Sequence, residues 1–327
     1  MGRLTAGLAT ATVLSVTVSG CVTVHGELEV VPAATKSEAA RALADFTVAY
    51  NAADKAYDPA LDADRVTGAL GAINQAGLKA RHTNNPDGNA AHKALELSDA
   101  SFAIPKKAGW PRWFIADTDS NRDQDAGNLD TRWLVVFLRT DPGSVWKAAY
   151  LAVVSPAQVP KFRLDKDGWA EPAPVAGDKL AVAPRDLSAD YTGYLQQGTP
   201  DVFAPGPTTS GWRDTRRTTS RAGFSFQYVD QPLDSGTFAP LGLTTEDGGA
   251  LAFFSSKHFE RQTAARGLRP EVNPDVKALL SGEVRSTLTK ERVSSQLVYI
   301  PRRGTGNGGG KVLVLNRLPG LTSAQGS

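Results

Sequence analysis

Residues 131–139 read TRWLVVFLR, residues 140–143 read TDPG, and residues 145–154 read VWKAAYLAVV. The two apolar runs are rich in β-branched and aromatic residues, and the Asp-Pro-Gly between them is a turn signal. Pro142 and Gly143 stand where a type II turn wants them. The stretch therefore predicts an antiparallel hairpin. Successive residues on a strand point to opposite faces. On the first strand Trp133, Val135 and Phe137 face one way, and Leu134, Val136 and Leu138 the other. On the second, Trp146, Ala148, Tyr150 and Ala152 oppose Ala149, Leu151 and Val153. Both faces are apolar, whereas a sheet with one wet face would alternate apolar and polar residues. The hairpin needs cover on both sides. Helices earlier in the chain can supply one cover, and a sheet within residues 224–316 is the nearest candidate for the other.

Upstream of the hairpin the period is helical. Thr35 and Glu38 have the spacing of a capping box. Leu43, Phe46, Thr47, Tyr50 and Tyr57 follow at helical spacing, and Val66, Leu70, Ile73 and Leu78 form a second stripe after Asp64. From Ser101 the period falls to two, with strands expected at 101–106, 112–117 and 161–164 besides the hairpin. Residues 171–184, rich in Pro, Ala and Gly, read as a linker. The order then repeats. Short helices are expected over 187–195 and 210–221. Strands follow at 224–229, 237–244, 250–259, 285–300 and 311–316. The expected fold class is α+β in two halves, each with N-terminal helices on a curved antiparallel sheet. The boundaries are a signal peptide at 1–20, a tether at 21–34, a first domain at 35–170, a linker at 171–185, a second domain at 186–318 and a disordered tail at 319–327.

The 327 residues carry 36 Lys and Arg against 34 Asp and Glu, a net charge of +2. That near balance does not indicate a nucleic-acid partner. One Cys and four His leave no disulfide framework and no cysteine-based zinc site. The lone Cys is informative by position. Arg3 is the only charged side chain before it, a run of apolar and small residues spans Leu4 to Val18, and the run ends in Val18-Ser19-Gly20-Cys21. This resembles a bacterial lipobox, with Val where Leu is usual. The resemblance implies a diacylglycerol thioether on Cys21 and cleavage that makes it the first mature residue. It also implies a membrane-anchored protein on the extracytoplasmic face. The whole chain resembles the uncharacterised secreted lipoproteins of high-GC Gram-positive bacteria. The repeated order of helices then strands resembles the nuclear transport factor 2-like, or cystatin-like, cone.

Two clusters of residues suggest binding chemistry. Calcium takes six to eight oxygens on a loop that can curl around it. Asp119, Asn121, Asp123, Asp125 and Asp130 fall at positions one, three, five, seven and twelve of such a loop. Gln124 stands where the sharp turn wants Gly. Calcium is the one cofactor the sequence brings into view, and a solvated loop between strands is the alternative. Arg213, Arg216, Arg217 and Arg221 share one face if 210–221 is helical, placed to meet anionic lipid headgroups or simply water. The tryptophans at 110, 113, 133, 146 and 169, with 212 in the second half, are expected in the core or around a ligand cavity.

Catalytic signatures are incomplete. Residues 304–311 have a Walker-like look but hold Thr305 and Val312 where Gly and Ser or Thr belong; a hairpin loop fits better. The stretch from Gly223 to Gln227 lacks the second Gly of a nucleophile elbow. Ser144 and Lys147 have Ser-Lys spacing without the partner motifs. Enzymes with the cone fold often use a His–Asp pair inside the cone. His258 is the one His placed on a strand, and the sequence supplies no partner for it. The sequence thus favours a non-catalytic, lipid-anchored protein that binds an unknown protein or small ligand, or acts as a scaffold. An enzyme or binding protein for an apolar ligand is the alternative. A closed pocket with a buried His or carboxylate inside one cone would favour the enzyme, and filled cones with an exposed apolar patch the scaffold.

Overall fold

The structure, a computed structural model, describes residues 29–304 and 310–327. Cys21 and the core of the Walker-like loop, residues 305–309, lie outside the described residues. The elements in chain order are β1 (Val31–Pro32), α1 (Lys36–Ala56), α2 (Gly68–Asn84), β2 (Leu97–Ala103), β3 (Lys106–Lys107), β4 (Arg112–Ser120), β5 (Arg132–Arg139) and β6 (Lys147–Val154). The second half contributes α3 (Leu187–Gln197), α4 (Ser210–Thr218), β7 (Phe224–Leu233), β8 (Leu241–Thr244), β9 (Ala250–Ala264), α5 (Pro274–Ala278), β10 (Leu280–Ser281), β11 (Thr287–Ile300) and β12 (Leu313–Gly326). The class is α+β.

Helix α1 starts where the capping box places it. The Thr35 side chain accepts from Glu38 N (3.1 Å), and Glu38 accepts from Thr35 N (2.8 Å). That backbone N–H bond holds the Glu38 carboxyl below its ordinary range. Helix α2 begins four residues after Asp64, because the chain is first stitched to β6. Ala148 N donates to Arg65 O (2.8 Å), and Thr67 N to Ala148 O (2.9 Å).

Strands β2-β4-β5-β6 form one antiparallel sheet. The second sheet runs β10-β12-β11-β9-β7, with β8 beside the first residues of β9, and only β10–β12 is parallel. Both faces of the β5–β6 hairpin are covered as its sequence requires. Val135 and Phe137 pack with Phe46, Leu43 and Phe114 under the helices. Leu134, Val136 and Leu138 pack with Leu251, Phe253, Val293 and Leu297 of the second sheet. The sheets thus lie face to face over one core. Ser295 Oγ donates across it to Leu151 O (3.1 Å), and Asn316 Nδ2 to Val153 O (2.8 Å). Alternate residues of the long strands, Phe254, Val298 and Ile300, face outward and pack under α3 with Tyr191 and Leu195.

Several local expectations are corrected. On β6 a bulge at Ala149 shifts the register, with Val136 opposite Tyr150 but Phe137 opposite Ala148. Tyr150 and Ala152 therefore join the inter-sheet core, while Trp146 and Ala148 face the helices. Gly143 does not take the positive φ of a type II turn. The Asp141 carboxylate instead accepts from Gly143 N (2.9 Å). Residues 161–164 make isolated bridges in place of a strand. The end of the tether is anchored by β1 on β3, with Ala33 and Ala34 buried. The expected linker is packed: Ala173 N bonds Gly242 O (2.8 Å), and Leu180 and Val182 are buried. The expected disordered tail is strand through Gly326, paired along β11. Pro319 lies inside this strand. It is tolerated because β12 has a partner on its other side only at Ala324 and Gln325, so the missing N–H falls on an open edge.

The shared core predicts joint unfolding. Phe253→Ala should cost about 3–5 kcal/mol, as large aromatic truncations in cores do. It should lower one cooperative transition seen alike by tryptophan fluorescence, which is dominated by the first half, and by far-UV circular dichroism. Two separated transitions would show that the halves fold independently.

Candidate functional site

Two concavities flank β12, and its alternating residues line both. The first is a cavity of about 500 Å³. Phe46 and Tyr50 of α1, Leu70, Ile73 and Gly77 of α2, and Trp133, Leu151 and Val153 of the hairpin form its walls. Leu318, Gly320 and Leu321 of β12 close it. A Cβ on Gly320 would stand 2.4 Å from Ile73 Cγ2, so only glycine lets strand and helix come this close. The lining is apolar but for Asn74, Arg81 and Asp275. Arg81 Nε is buried without a hydrogen-bond partner. Behind the wall, the buried Asp62 carboxylate accepts from Asn74 Nδ2 and Gln75 Nε2, both at 2.5 Å. Burial pushes Asp62 up to about 6 against those two bonds.

The second concavity, about 200 Å³, lies on the outer face of the second sheet. Trp212, Arg216, Tyr228, His258, Arg292 and Arg317 line it. Register explains the convergence: Asp230 pairs with His258 across β7 and β9, and His258 with Arg292 across β9 and β11. Asp230 is the partner that the sequence did not supply for His258. Its Oδ1 lies 2.5 Å from His258 Nδ1, and Arg216 grips both carboxylate oxygens at 2.6 and 2.9 Å. Burial works to raise the Asp230 pKa, but these bonds outweigh it and hold the carboxyl below its ordinary range. Burial, aided by the Arg317 and Arg216 charges, pushes His258 down to about 4.

Asp230, His258 and Ser256 have the connectivity of a serine-hydrolase relay, with Ser256 Oγ 3.0 Å from His258 Nε2. The chemistry does not follow. Ser256 is 0% exposed, so no substrate carbonyl reaches it in this conformation, and both ring nitrogens are bonded internally. Gln296 completes the chain. With its amide nitrogen on Ser256 Oγ (2.7 Å), the imidazole can stay neutral, but the amide oxygen then faces the Phe254 and Ser294 carbonyls. Turned over, the amide donates to the Phe254 and Ser294 carbonyls (3.0 Å each) and takes the Ser256 proton. Nε2 must then donate as well, and the ring becomes a cation. Amide orientation and ring charge are thus coupled.

The arginine set does not form one exposed face. Helix α4 ends at Thr218, so Arg221 lies beyond it and pairs with Glu271. Arg216 points inward with 8% of its side chain exposed, Arg213 lies over the Tyr194 ring, and Arg217 is exposed beside Asp214. The acidic loop is brought together in part. Ligand oxygens of Asp119, Asp123 and Asp130 lie within 4.8 Å of one another. Asn121 is spent on Ala94 O and Glu96 N, and Asp125 stands outside the cluster. Trp113 and Trp146 are core, Trp133 lines the apolar cavity, and Trp212 lies in the polar pocket. Arg317 and the cavity-closing residues of β12 were missed. Arg317 sits one residue beyond the strand that the sequence marks at 311–316, with no periodicity to flag it.

A family model described as a domain of unknown function, DUF8094, matches residues 30–326. The chain is 55% identical over 320 residues to a protein named an uncharacterized lipoprotein in Streptomyces coelicolor, covering 97% of this chain and 94% of that one. It is 52% identical over 327 residues to an uncharacterized lipoprotein of Streptomyces avermitilis, covering 99% and 96%. A second Streptomyces coelicolor protein, also named an uncharacterized lipoprotein, is 25% identical over 225 residues. No solved structure matches the chain.

The depressed His258 pKa makes part of the stability pH-dependent. The folded state resists protonation of this ring. Its contribution is therefore complete above about pH 6.5 and is lost as pH falls through about 4. That displacement corresponds to about 3 kcal/mol. His258→Gln should be most destabilising near pH 7.5, with the gap to wild type narrowing steadily toward pH 4 in urea unfolding. A gap independent of pH would overturn the assignment.

Proposed function

The chain belongs to the DUF8094 family, and from that premise we propose a lipid-anchored binding protein whose apolar cavity holds a small hydrophobic molecule at the outer face of the cell membrane. The observation that carries this reading is the unfilled cavity of about 500 Å³ between α1, α2, the hairpin and β12. Cavities of roughly 300–1,000 Å³ with apolar walls and a few polar groups are typical ligand sites. A well-packed scaffold would have closed it. Tyr50, Trp133 and Leu318 are only half-buried, which leaves a route from solvent. Arg81, with its buried and unbonded Nε, offers one polar contact for an otherwise apolar ligand.

The anchor reading rests on Cys21 and on the lipoprotein names of the relatives. Among the described residues no helix is long and apolar enough to cross a membrane. Acyl chains contribute about 0.8 kcal/mol per buried methylene, so a diacylglycerol holds a protein stably. Cys21→Ser should move the protein from the membrane fraction to the soluble fraction on cell fractionation. Retention on the membrane would reveal a different anchor.

Gly77 provides the test of the cavity. A Cβ there would meet only the Arg81 guanidinium, at an ordinary 3.6 Å. Gly77→Leu therefore puts a side chain into the cavity without backbone strain and favours the helix by up to about 1 kcal/mol. The wild type should bind the fluorescent apolar probe N-phenyl-1-naphthylamine saturably. The variant should bind it at least tenfold more weakly with an equal or higher Tm. Equal probe affinity in the variant, or no saturable binding in the wild type, would overturn the proposal.

A further inference from the structure

The outer face of the second sheet gathers positive charge that the protein's own carboxylates do not answer. Arg216 is neutralised by Asp230. Arg292 stands 3.5 Å from Glu260, but Lys290 also holds that carboxylate, at 2.8 Å. Arg317 has no carboxylate within ion-pair distance among the described residues, and its Nε is buried without a hydrogen-bond partner. Its guanidinium lies 3.7 Å from the centroid of the Trp212 ring, and that of Arg216 lies at the same distance. Two groups so close to one centroid must occupy opposite faces, so the indole is clamped between two cations. Arg216, Arg292 and Arg317 line the pocket together with Glu260; with Lys290, which joins only through Glu260, and with Asp230 behind Arg216, four cations meet two carboxylates, and the imidazole that faces them is neutral at ordinary pH.

A guanidinium largely withdrawn from water, with its Nε left without an acceptor, is costly, and it is retained where something else answers its charge. We propose that this pocket binds a phosphate-class oxyanion. Arg317 and Arg292 are its ligating side chains, Arg216 adds field from its place on Asp230, and Trp212 fixes the orientation of both stacked guanidiniums. Planar guanidinium forks match the oxygens of phosphate and hold it by charge-assisted bonds. The two surplus positive charges match a dianion better than a monovalent carboxylate. A volume of about 200 Å³ admits a phosphate group with a small substituent and leaves no room for a long chain. Burial, followed by the neighbouring guanidiniums, pushes Arg317 down to about 10, the penalty that an anion would relieve. The site is separate from the apolar cavity and does not depend on it.

The phosphate could be free or could belong to a lipid headgroup, and the test separates these sources. The full chain carrying Cys21→Ser is titrated calorimetrically with inorganic phosphate, glycerol 3-phosphate and acetate, each at matched ionic strength. It is also mixed with phosphatidylcholine vesicles with and without phosphatidic acid. Saturable binding of inorganic phosphate or glycerol 3-phosphate, at least tenfold tighter than acetate, is expected. Binding confined to phosphatidic acid vesicles and competed by glycerol 3-phosphate would assign the headgroup as the source. Arg317→Gln should lower the affinity at least tenfold. Arg292→Gln, at a half-exposed position that leaves the Trp212 clamp intact, should also weaken it if the fold is unchanged by circular dichroism. No binding in any arm, acetate as tight as phosphate, or wild-type affinity in both variants would overturn the proposal.

Discussion

A hairpin without a polar face must be covered twice, and most of the architecture answers that demand. Leu134, Val136 and Leu138 cannot remain in water, nor can Val135 and Phe137 behind them. Helix α1 covers one side. The other side takes a sheet from the second half of the chain, whose own strands then present Phe254, Val298 and Ile300 outward and require α3 in turn. At ~25 cal/mol per Å² of apolar area, a few hundred Å² in such an interface is comparable with the whole net stability of a domain. The cost is topological: the core of the first half is unfinished until the second half is in place.

The parts governed by local chemistry were legible in the sequence. The Thr35–Glu38 box, the short helix expected over 187–195 and the apolar strands of both halves need only neighbours in the chain. What needed distant partners was not legible. The bulge at Ala149 is set by the second sheet, which draws Tyr150 inward so that its hydroxyl reaches the Phe238 carbonyl at 2.7 Å. Leu318-Pro319-Gly320 lies beyond the strand expected at 311–316, since proline and glycine are depleted in strands, yet an open edge tolerates the one and a close helix demands the other. The arginines at 213, 216, 217 and 221 read as a solvated face because helical periodicity cannot reveal a buried Asp230 across the groove.

In the chain Arg216–Asp230–His258–Ser256–Gln296 buried polar groups answer one another, although Arg216 Nε is left without a partner. Each member is costly alone, and together they tie α4, β7, β9 and β11 into one arrangement. A half-satisfied network would be worse than an apolar core. Burial and the neighbouring arginines hold His258 neutral against its bond to Asp230, and the bonds hold Asp230 charged, so the field at the adjoining pocket is dominated by guanidinium groups over the whole neutral pH range. Arg317 remains outside this internal accounting.

Strand β12 gives the molecule a shared partition wall. Leu318 and Gly320 look into the apolar cavity, while Arg317 and Pro319 look into the polar pocket. Because side chains alternate with a period of two, sliding this strand by one residue would exchange the two linings, putting a cation among aromatic rings and an aliphatic chain among arginines. The irregularities at Glu291/Arg292 and Leu297/Val298 lock the strand against such slippage. Related sequences should therefore keep the length of this strand. Within 314–320 they should accept substitutions but no insertion or deletion, since a change of one residue there rewrites two binding surfaces at once.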